Sequence, residues 1–314
     1  MEVQELGSGR LLVDLGFRDM EGVIGSYLLP EEEGWALVEV GPTTCRARFL
    51  KGLAAAGVSP REVRDVLVTH IHLDHAGALG ALAEDLPKAR FHAHASGIPH
   101  LVDPSRLVAS ARRAWGPASD ELWGPVLPVP ADRLVALQGG ESIPLKGAAT
   151  LRVLATPGHA RHHVSFLDEG TGSLLTGDGA GVLLPGARHI RPAVPPPDLD
   201  IPQFLGSLRV MEATGADRLL FSHYGPAEHA RERLHEVAET LSAWVTIATE
   251  AARREPTVAS VARALEAYER ERARREGEPP EFLVRSGTIS SLELAAAGLL
   301  RYLSRPSAGG HVSP

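Results

Sequence analysis

The run Thr69-His70-Ile71-His72-Leu73-Asp74-His75-Ala76-Gly77 constrains this chain more than any other segment, because it sets three imidazoles and a carboxylate within six positions after an apolar stretch. From Val63 to Val68 only Arg64 and Asp65 interrupt apolar residues, so the cluster falls where a buried strand exits into a loop. A strand end is a rigid mount for ligands. In extended backbone His70 and His72 point to the same side, while Asp74 and His75 lie beyond the turn and can face a second point a few ångströms away. The pattern reads as a metal site, and this one segment can serve two ions. The plain alternative is a solvated His-rich loop, since single histidines are usually satisfied surface or core residues.

The rest of the chain argues against that alternative. Leu151 to Ala155 is a second strand-like run, and it leads through Thr156-Pro157-Gly158 to His159. Ser173 to Thr176 leads to Gly177-Asp178-Gly179, and Leu219 to Phe221 leads to Ser222-His223-Tyr224-Gly225-Pro226. Each run delivers a ligand candidate to a strand exit.

The ordered set His-x-His-x-Asp-His, Pro-Gly-His, Gly-Asp and a late Ser-His resembles the metallo-β-lactamase superfamily of hydrolases, over about Gly25 to Gly225. The set as a whole is specific where any one piece is weak. The resemblance implies an α/β fold, a four-layer αβ/βα sandwich with the metals at one edge of two packed sheets. It also implies one zinc on His70, His72 and His159, a second on Asp74, His75 and His223, and Asp178 bridging them. Relatives often carry Asp-x-Gly where this chain has Glu39-Val40-Gly41. Glu39 is accordingly read either as an acceptor that orients a ligand histidine or as an ordinary turn carboxylate.

The chemistry suits these residue types. Zinc takes nitrogen and oxygen ligands, and a catalytic site keeps a position for water. Two nearby cations lower the pKa of that water from about 16 toward about 7, which supplies hydroxide at neutral pH. Asp74 is the residue expected to orient a bridging hydroxide, with the second ion stabilising the oxyanion or leaving group of an ester, thioester or lactone.

Composition excludes several classes. With 314 residues, 44% of them hydrophobic, the chain can build a substantial core. A formal charge of -7 and the lack of a basic patch speak against a nucleic-acid partner. The superfamily's RNA-processing nucleases resemble a pattern with an inserted domain and extra C-terminal histidine motifs, which this chain lacks. Cys45 is the only cysteine, so an intrachain disulfide is impossible, and the thiol reads as packing. No signal-like or membrane-length apolar run is seen, and cytoplasmic residence is the expectation. Arginine greatly exceeds lysine and asparagine is absent, a bias that fits a thermophile or a GC-rich genome.

Along the chain, Leu11 to Leu15, Ser26 to Leu29 and Trp35 to Val40 read as strands, followed by a helix from Thr44 to Ala56 capped by Thr43 or Thr44. Phe91 to Gly147 reads as an irregular insertion and Ala180 to Pro202 as a second irregular stretch, both placed to wall a substrate pocket. Arg191 and Tyr224 are the candidate substrate contacts, with packing beside the ligand strand the alternative for Tyr224. Of His162 and His163, one is expected to be packed and the other at most to support a ligand. His92, His94, His100, His189, His229, His235 and His311 are read as structural or solvated. Leu234, Val237, Leu241 and Val245 mark a helix running past residue 250. Pro256 interrupts it, Thr257 caps a successor, and the charged run Glu269 to Glu278 reads as a solvated helix end or linker. A last helix is expected from Ser290 to Leu303. The division expected is a catalytic domain over 1–243, a helical region over 244–305 resembling the extension that helps close the site in glyoxalase II, and a disordered tail over 306–314.

The favoured reading is a dinuclear zinc hydrolase of the glyoxalase II and lactonase kind acting on a small molecule, with a homo-oligomer open. β-Lactamases of the superfamily typically lack the bridging aspartate and are secreted. The alternative is an oxidoreductase resembling persulfide dioxygenases, with one iron on His70, His159 and Asp178. A non-catalytic metal-binding protein is the third.

Overall fold

A computed structural model of the chain describes residues 3–279 and 287–305. The first sheet has seven strands in sequence order: β1 (Val3–Gly7), β2 (Arg10–Asp14), β3 (Gly25–Glu31), β4 (Gly34–Val38), β5 (Val63–Leu67), β6 (Arg90–His94) and β7 (Leu134–Leu137). β1 to β4 form an antiparallel meander, and β4 to β7 run parallel. Parallel pairing demands crossovers. They are α1 (Arg46–Ala55), then α2 (Leu73–Ala76) and α3 (Leu79–Asp85), then α4 (Ile98–Val102), α5 (Ser105–Trp115) and α6 (Ser119–Trp123). The second sheet is β8 (Ser142–Pro144), β9 (Thr150–Ala155), β10 (Val164–Asp168), β11 (Ser173–Leu175), β12 (Arg218–Phe221) and β13 (Gly225–Glu228), with α7 (Ile201–Glu212) crossing between the parallel pair β11 and β12. Then come α8 (Ala230–Arg254), α9 (Val258–Glu276) and α10 (Leu292–Leu303).

Alternating side chains build the four expected layers. On β3, Tyr27 and Leu29 face the second sheet, where they meet Val153, Phe166 and Leu220, while Leu28 turns to the α1 side with Phe49 and Leu53. On β12, Leu219 and Phe221 turn outward under α7 and α8. Polar ties cross between the sheets, two of them from β2 and β3. Tyr27 donates its hydroxyl to the Phe221 carbonyl at 2.6 Å, and the buried Arg10 guanidinium grips Asp168 at 2.8 and 3.1 Å.

Most expected strands form within two residues of their anticipated ends, and α8, α9 and α10 lie where the apolar spacing puts helices. Thr257 caps α9 by accepting from the Ser260 amide. A single turn of 3-10 helix at Thr43–Cys45 precedes α1, so neither Thr43 nor Thr44 acts as its side-chain cap.

Two readings are corrected. The Phe91 to Gly147 stretch is built of regular elements, three helices between β6 and β7 and then β8, rather than irregular. Its main helix, α5, sets Leu107, Ala111 and Trp115 at four-residue spacing on one face that packs on the core, although none of its residues is fully buried. The charged run after Tyr268 does end a helix and is solvated on one face, through Arg270, Glu271, Arg274 and Arg275, but its other face is buried. Glu269 is 0% exposed and Arg272 and Glu278 are also buried, because their charges are matched inside the protein. The residue 243/244 boundary falls within the continuous helix α8, whose Trp244 is buried. The tail over 306–314, with His311, lies outside the described residues, as does Ser286 ahead of α10. Among the described residues no helix is long and apolar enough to cross a membrane.

Candidate metal centre

Topology gathers the candidates. β9 is antiparallel to β10, β10 to β11, and β12 is parallel to β11, so β9, β11 and β12 end at the same edge of their sheet. There they present His159, Asp178 and His223. The β5 exit joins them through the Thr69 carbonyl, which accepts from the Val164 amide at 2.8 Å. The loop after His72 closes into α2, so Asp74 and His75 sit on one helical turn.

Local geometry needs glycine at two of these exits. Gly158 has φ +138°, and a Cβ there would stand 2.3 Å from the Phe204 backbone. Gly177, at φ +52°, would push into Thr69 and the His163 ring.

Three imidazole nitrogens converge in one group. His70 Nε2 lies 2.9 Å from His72 Nδ1 and 3.2 Å from His159 Nε2, and His72 Nδ1 lies 3.0 Å from His159 Nε2. A second group holds His75 Nε2 3.1 Å from His223 Nε2, with Asp74 Oδ2 3.5 Å from His223 Nε2. Asp178 stands between them: Oδ1 is 3.4 Å from His75 Nε2 and 3.5 Å from His223 Nε2, and Oδ2 is 3.5 Å from His159 Nε2.

The outer hydrogen bonds fix the tautomers. His159 Nδ1 donates to the Ala193 carbonyl at 2.9 Å and His223 Nδ1 to the Val23 carbonyl at 2.8 Å, so in the neutral rings each Nε2 turns a lone pair inward. Thr69 Oγ1 gives its proton to Glu39 Oε1 at 2.5 Å and therefore accepts from His70 Nδ1 at 3.0 Å. Glu39, wholly buried, also accepts from Ser222 Oγ at 3.2 Å and lies 3.3 Å from His75 Nδ1. Asp178 Oδ1 is buried with no hydrogen-bond partner. A buried carboxylate oxygen facing inward lone pairs is an arrangement that a cation satisfies. Nitrogens about 3 Å apart can share one ion at the Zn–N length of about 2.0–2.1 Å.

Charge divides the two groups. Burial, then the neighbouring imidazoles of His75, His72 and His159, drive the His70 pKa well below its usual value. Burial and His159 bring His72 down to about 3. In the other group burial also works against a charged His75, but Glu39, Asp178 and Asp74 outweigh it and raise the pKa well above the usual value. Burial acts to raise Asp74, yet His75 and His223 hold it down to about 2. The first group is thus a neutral nitrogen set, and the second is rich in buried negative charge, a setting for a divalent ion.

Among the described residues, a cavity of about 110 Å³ opens over His72, Asp74, His159, Asp178 and His223. Its walls come from α5 and α6, from Val182 and residues 193–197, and from residues 289–291 and α10. Both stretches expected to wall a pocket do so, and the C-terminal region closes the far side. Arg191 and Tyr224 are not on these walls. The Arg191 guanidinium is 1% exposed and donates from Nε to Glu269 Oε2 at 2.8 Å, because a charge buried there needs a counter-ion. Tyr224 packs near Gly25 and against core side chains.

The remaining histidines have other duties. His163 donates to Thr156 Oγ1 at 2.8 Å and accepts from the Gly179 amide at 3.1 Å, so it braces the Asp178 turn. His162 is buried beside His72, and His92 pairs with Asp65. His189, Glu276 and Glu278 make a fourth cluster of possible ligands, but there His189 Nε2 is 3.0 Å from Glu269 and Glu278 caps two backbone amides. Burial pushes the Cys45 thiol up to about 12, which suits packing.

The model of the Metallo-beta-lactamase superfamily matches residues 21–223. The chain belongs to this superfamily. A metallo-beta-lactamase fold-containing protein of Sulfurisphaera tokodaii is 32% identical over 149 residues, 46% of this chain and 54% of that protein. A hydroxyacylglutathione hydrolase of Halorhodospira halophila is 32% identical over 124 residues, 38% of this chain and 36% of that enzyme. The chain spans about half the length of the curated relatives it matches. Among solved structures, a metallo-beta-lactamase family protein from Thermus thermophilus superposes with a TM-score of 0.69 at 24% identity, covering 95% of this chain and 94% of that one. That likeness reaches into the C-terminal helices, so superfamily membership and the four-layer fold agree.

Apart from Glu39, which the sequence offered as one of two readings, the groups that stand behind the ligands were not legible in it. Thr69 and Ser222 were in view as neighbours of His70 and His223, but the Ala193 and Val23 carbonyls carry no sequence signal at all.

Proposed function

We propose that this superfamily member is a two-metal hydrolase that cleaves an ester, thioester or lactone bond of a small molecule. The observation that carries the proposal is Asp178, whose two oxygens face different donor groups and one of which is buried without a hydrogen bond. His70, His72 and His159 would hold one ion, Asp74, His75 and His223 the other, and Asp178 would contact both. Bound there, two zinc ions supply a water ionised near neutral pH and a Lewis acid for the carbonyl. The chain itself does the positioning. Asp74 is only 18% exposed and borders the cavity, so its ionised carboxylate can orient a nucleophilic water. Ala193, Val23 and Thr69 keep the ligand lone pairs inward, and the apolar walls limit competing solvent. The relative named hydroxyacylglutathione hydrolase supports hydrolysis as the reaction class.

The alternative iron site of His70, His159 and Asp178 would leave His72 Nδ1, about 3 Å from both histidine nitrogens, without a purpose, along with the whole second group. Elemental analysis of protein purified without chelator or added metal tests the choice. Roughly two zinc ions per chain, with hydrolysis of a neutral ester, thioester or lactone that His72→Ala abolishes, is the expected result. About one iron per chain with persulfide-dependent oxygen uptake would overturn it.

A further inference from the structure

The cavity over the donor groups has a chemical character that reaction class alone does not dictate. Every described side chain on its walls that is not one of the candidate ligands is uncharged. Leu107 and Ala111 of α5, the Trp115 and Trp123 rings, Val194 and Leu294 of α10 supply a mostly apolar lining, with Ser110, Ser290 and Ser291 as the only hydroxyls among the described residues. No described lysine or arginine is among them, and Arg191 of the neighbouring stretch donates to Glu269.

Charge balance then restricts what can enter. The carboxylates Asp74 and Asp178 border the cavity at its donor end, where metal ions would offset them, so the limit lies along the rest of the lining. There a carboxylate or phosphate would lose its hydration with no described cation to receive it. A ligand as anionic as a glutathione thioester could place its charged arms only outside these walls. Apolar groups gain from entering, because the lining removes their surface from water without offering hydrogen bonds they cannot use.

The aromatic part of the wall is braced by ring packing. Trp123 stacks on Phe17 with centroids 5.6 Å apart, and Trp115 meets Trp123 edge-on at 5.4 Å. These packed rings give the cavity an aromatic section of wall, and the small side chains of Ala111 and Ala295 line it elsewhere, which leaves width for an unbranched chain. A cavity of about 110 Å³ holds on the order of four water-sized groups, at about 30 Å³ each.

We infer that the cavity is the acyl subsite, and that it selects an uncharged, apolar acyl chain of short to medium length whose carbonyl end lies at the histidine and aspartate groups. The inference rests on the hydrolase reading for the word acyl, and on the wall chemistry for the rest.

Binding separates the two. Straight-chain carboxylates from acetate to hexanoate are titrated calorimetrically into zinc-loaded protein, alongside the dicarboxylate adipate. Affinity should rise by about fourfold per methylene until the cavity is full, the yield expected from a buried methylene. Adipate should bind at least tenfold more weakly than hexanoate. In Ala111→Phe and, independently, Ala295→Leu, the hexanoate-to-acetate affinity ratio should fall at least tenfold while zinc content is kept. A flat series, or adipate matching hexanoate, overturns the subsite. Ratios unchanged in both variants overturn the cavity as its location.

The same chain-length series is then run as thioesters. Length-dependent binding without turnover of any thioester, ester or lactone would leave the apolar subsite standing and refute the hydrolase reading. Turnover that favours an anionic acyl group would do the reverse.

Discussion

Glu269→Gln isolates the buried charge cluster that joins the C-terminal helices to the stretch walling the cavity. Glu269 is wholly buried on α9. Its Oε2 receives His189 Nε2 at 3.0 Å and Arg191 Nε at 2.8 Å, and its Oε1 receives Trp244 Nε1 at 3.0 Å. A glutamine amide has one accepting atom, so in either orientation its NH₂ confronts at least one of these donors. The Arg191 charge also loses its described carboxylate partner. Breaking a buried pair costs about 3–5 kcal/mol, and an orphaned donor about 1–3 kcal/mol, so a loss of about 4 kcal/mol is a fair expectation. At roughly 2 °C per kcal/mol for a chain of this size, the melting temperature should fall by about 8 °C at pH 7.

The pH dependence sharpens the test. Burial acts to raise the Glu269 pKa, but the bonds from His189, Arg191 and Trp244 outweigh it and hold it below the ordinary 4.5. A carboxyl whose folded pKa is depressed stabilises the fold fully above its unfolded value and loses that contribution as pH falls through the folded value. The gap between wild type and Glu269→Gln should therefore stay constant above about pH 5.5 and narrow below pH 4.5. Thermal unfolding followed by circular dichroism at a series of pH values measures both. A melting temperature within 2 °C of wild type at pH 7, or a gap that widens toward acid, would refute the account.

Glu39→Gln should lower zinc affinity by about 10–100-fold in chelator competition, because Glu39 anchors Thr69 and faces His75; unchanged affinity would remove it from the support of the site. Gly158→Ala forces a Cβ against the Phe204 backbone at a φ disfavoured for alanine, and should cost about 1–3 kcal/mol in urea unfolding with loss of metal. Dialysis against a strong chelator should lower the melting temperature by several degrees, and zinc should restore it; equal values with and without metal would contradict a site that binds the native state.

Much of the candidate site was legible in the sequence because strand exits are local features. Apolar runs before His70, His159, Asp178 and His223 announced their own ends, and all seven donors come together at one edge of the sheets. The C-terminal helices were legible for a similar reason, since Leu234, Val237 and Leu241 mark the buried face of α8. The misreadings share another cause. Glu269 and Arg191 look like surface charges one at a time, and their burial follows from a pairing between residues 78 positions apart. α5 escaped notice although Leu107, Ala111 and Trp115 recur at helical spacing, because the prolines, arginines and tryptophans around it mask a short helix that both lines the cavity and packs on the core.

The sequence by itself determined the order of strands, the alternation that puts one face of each strand inward, and the identity of the donors at their tips. Each depends on residues within a few positions of one another, where backbone geometry alone fixes direction. Tertiary structure decided which nitrogen of each ring faces inward, where Arg191 places its charge, and that the cavity walls are apolar. His223 takes its tautomer from the Val23 carbonyl 200 residues away, and the lining joins α5 to α10 across most of the chain. Hydrogen bonds and burial act between atoms that are close in space, and only the packed layers determine which atoms those are.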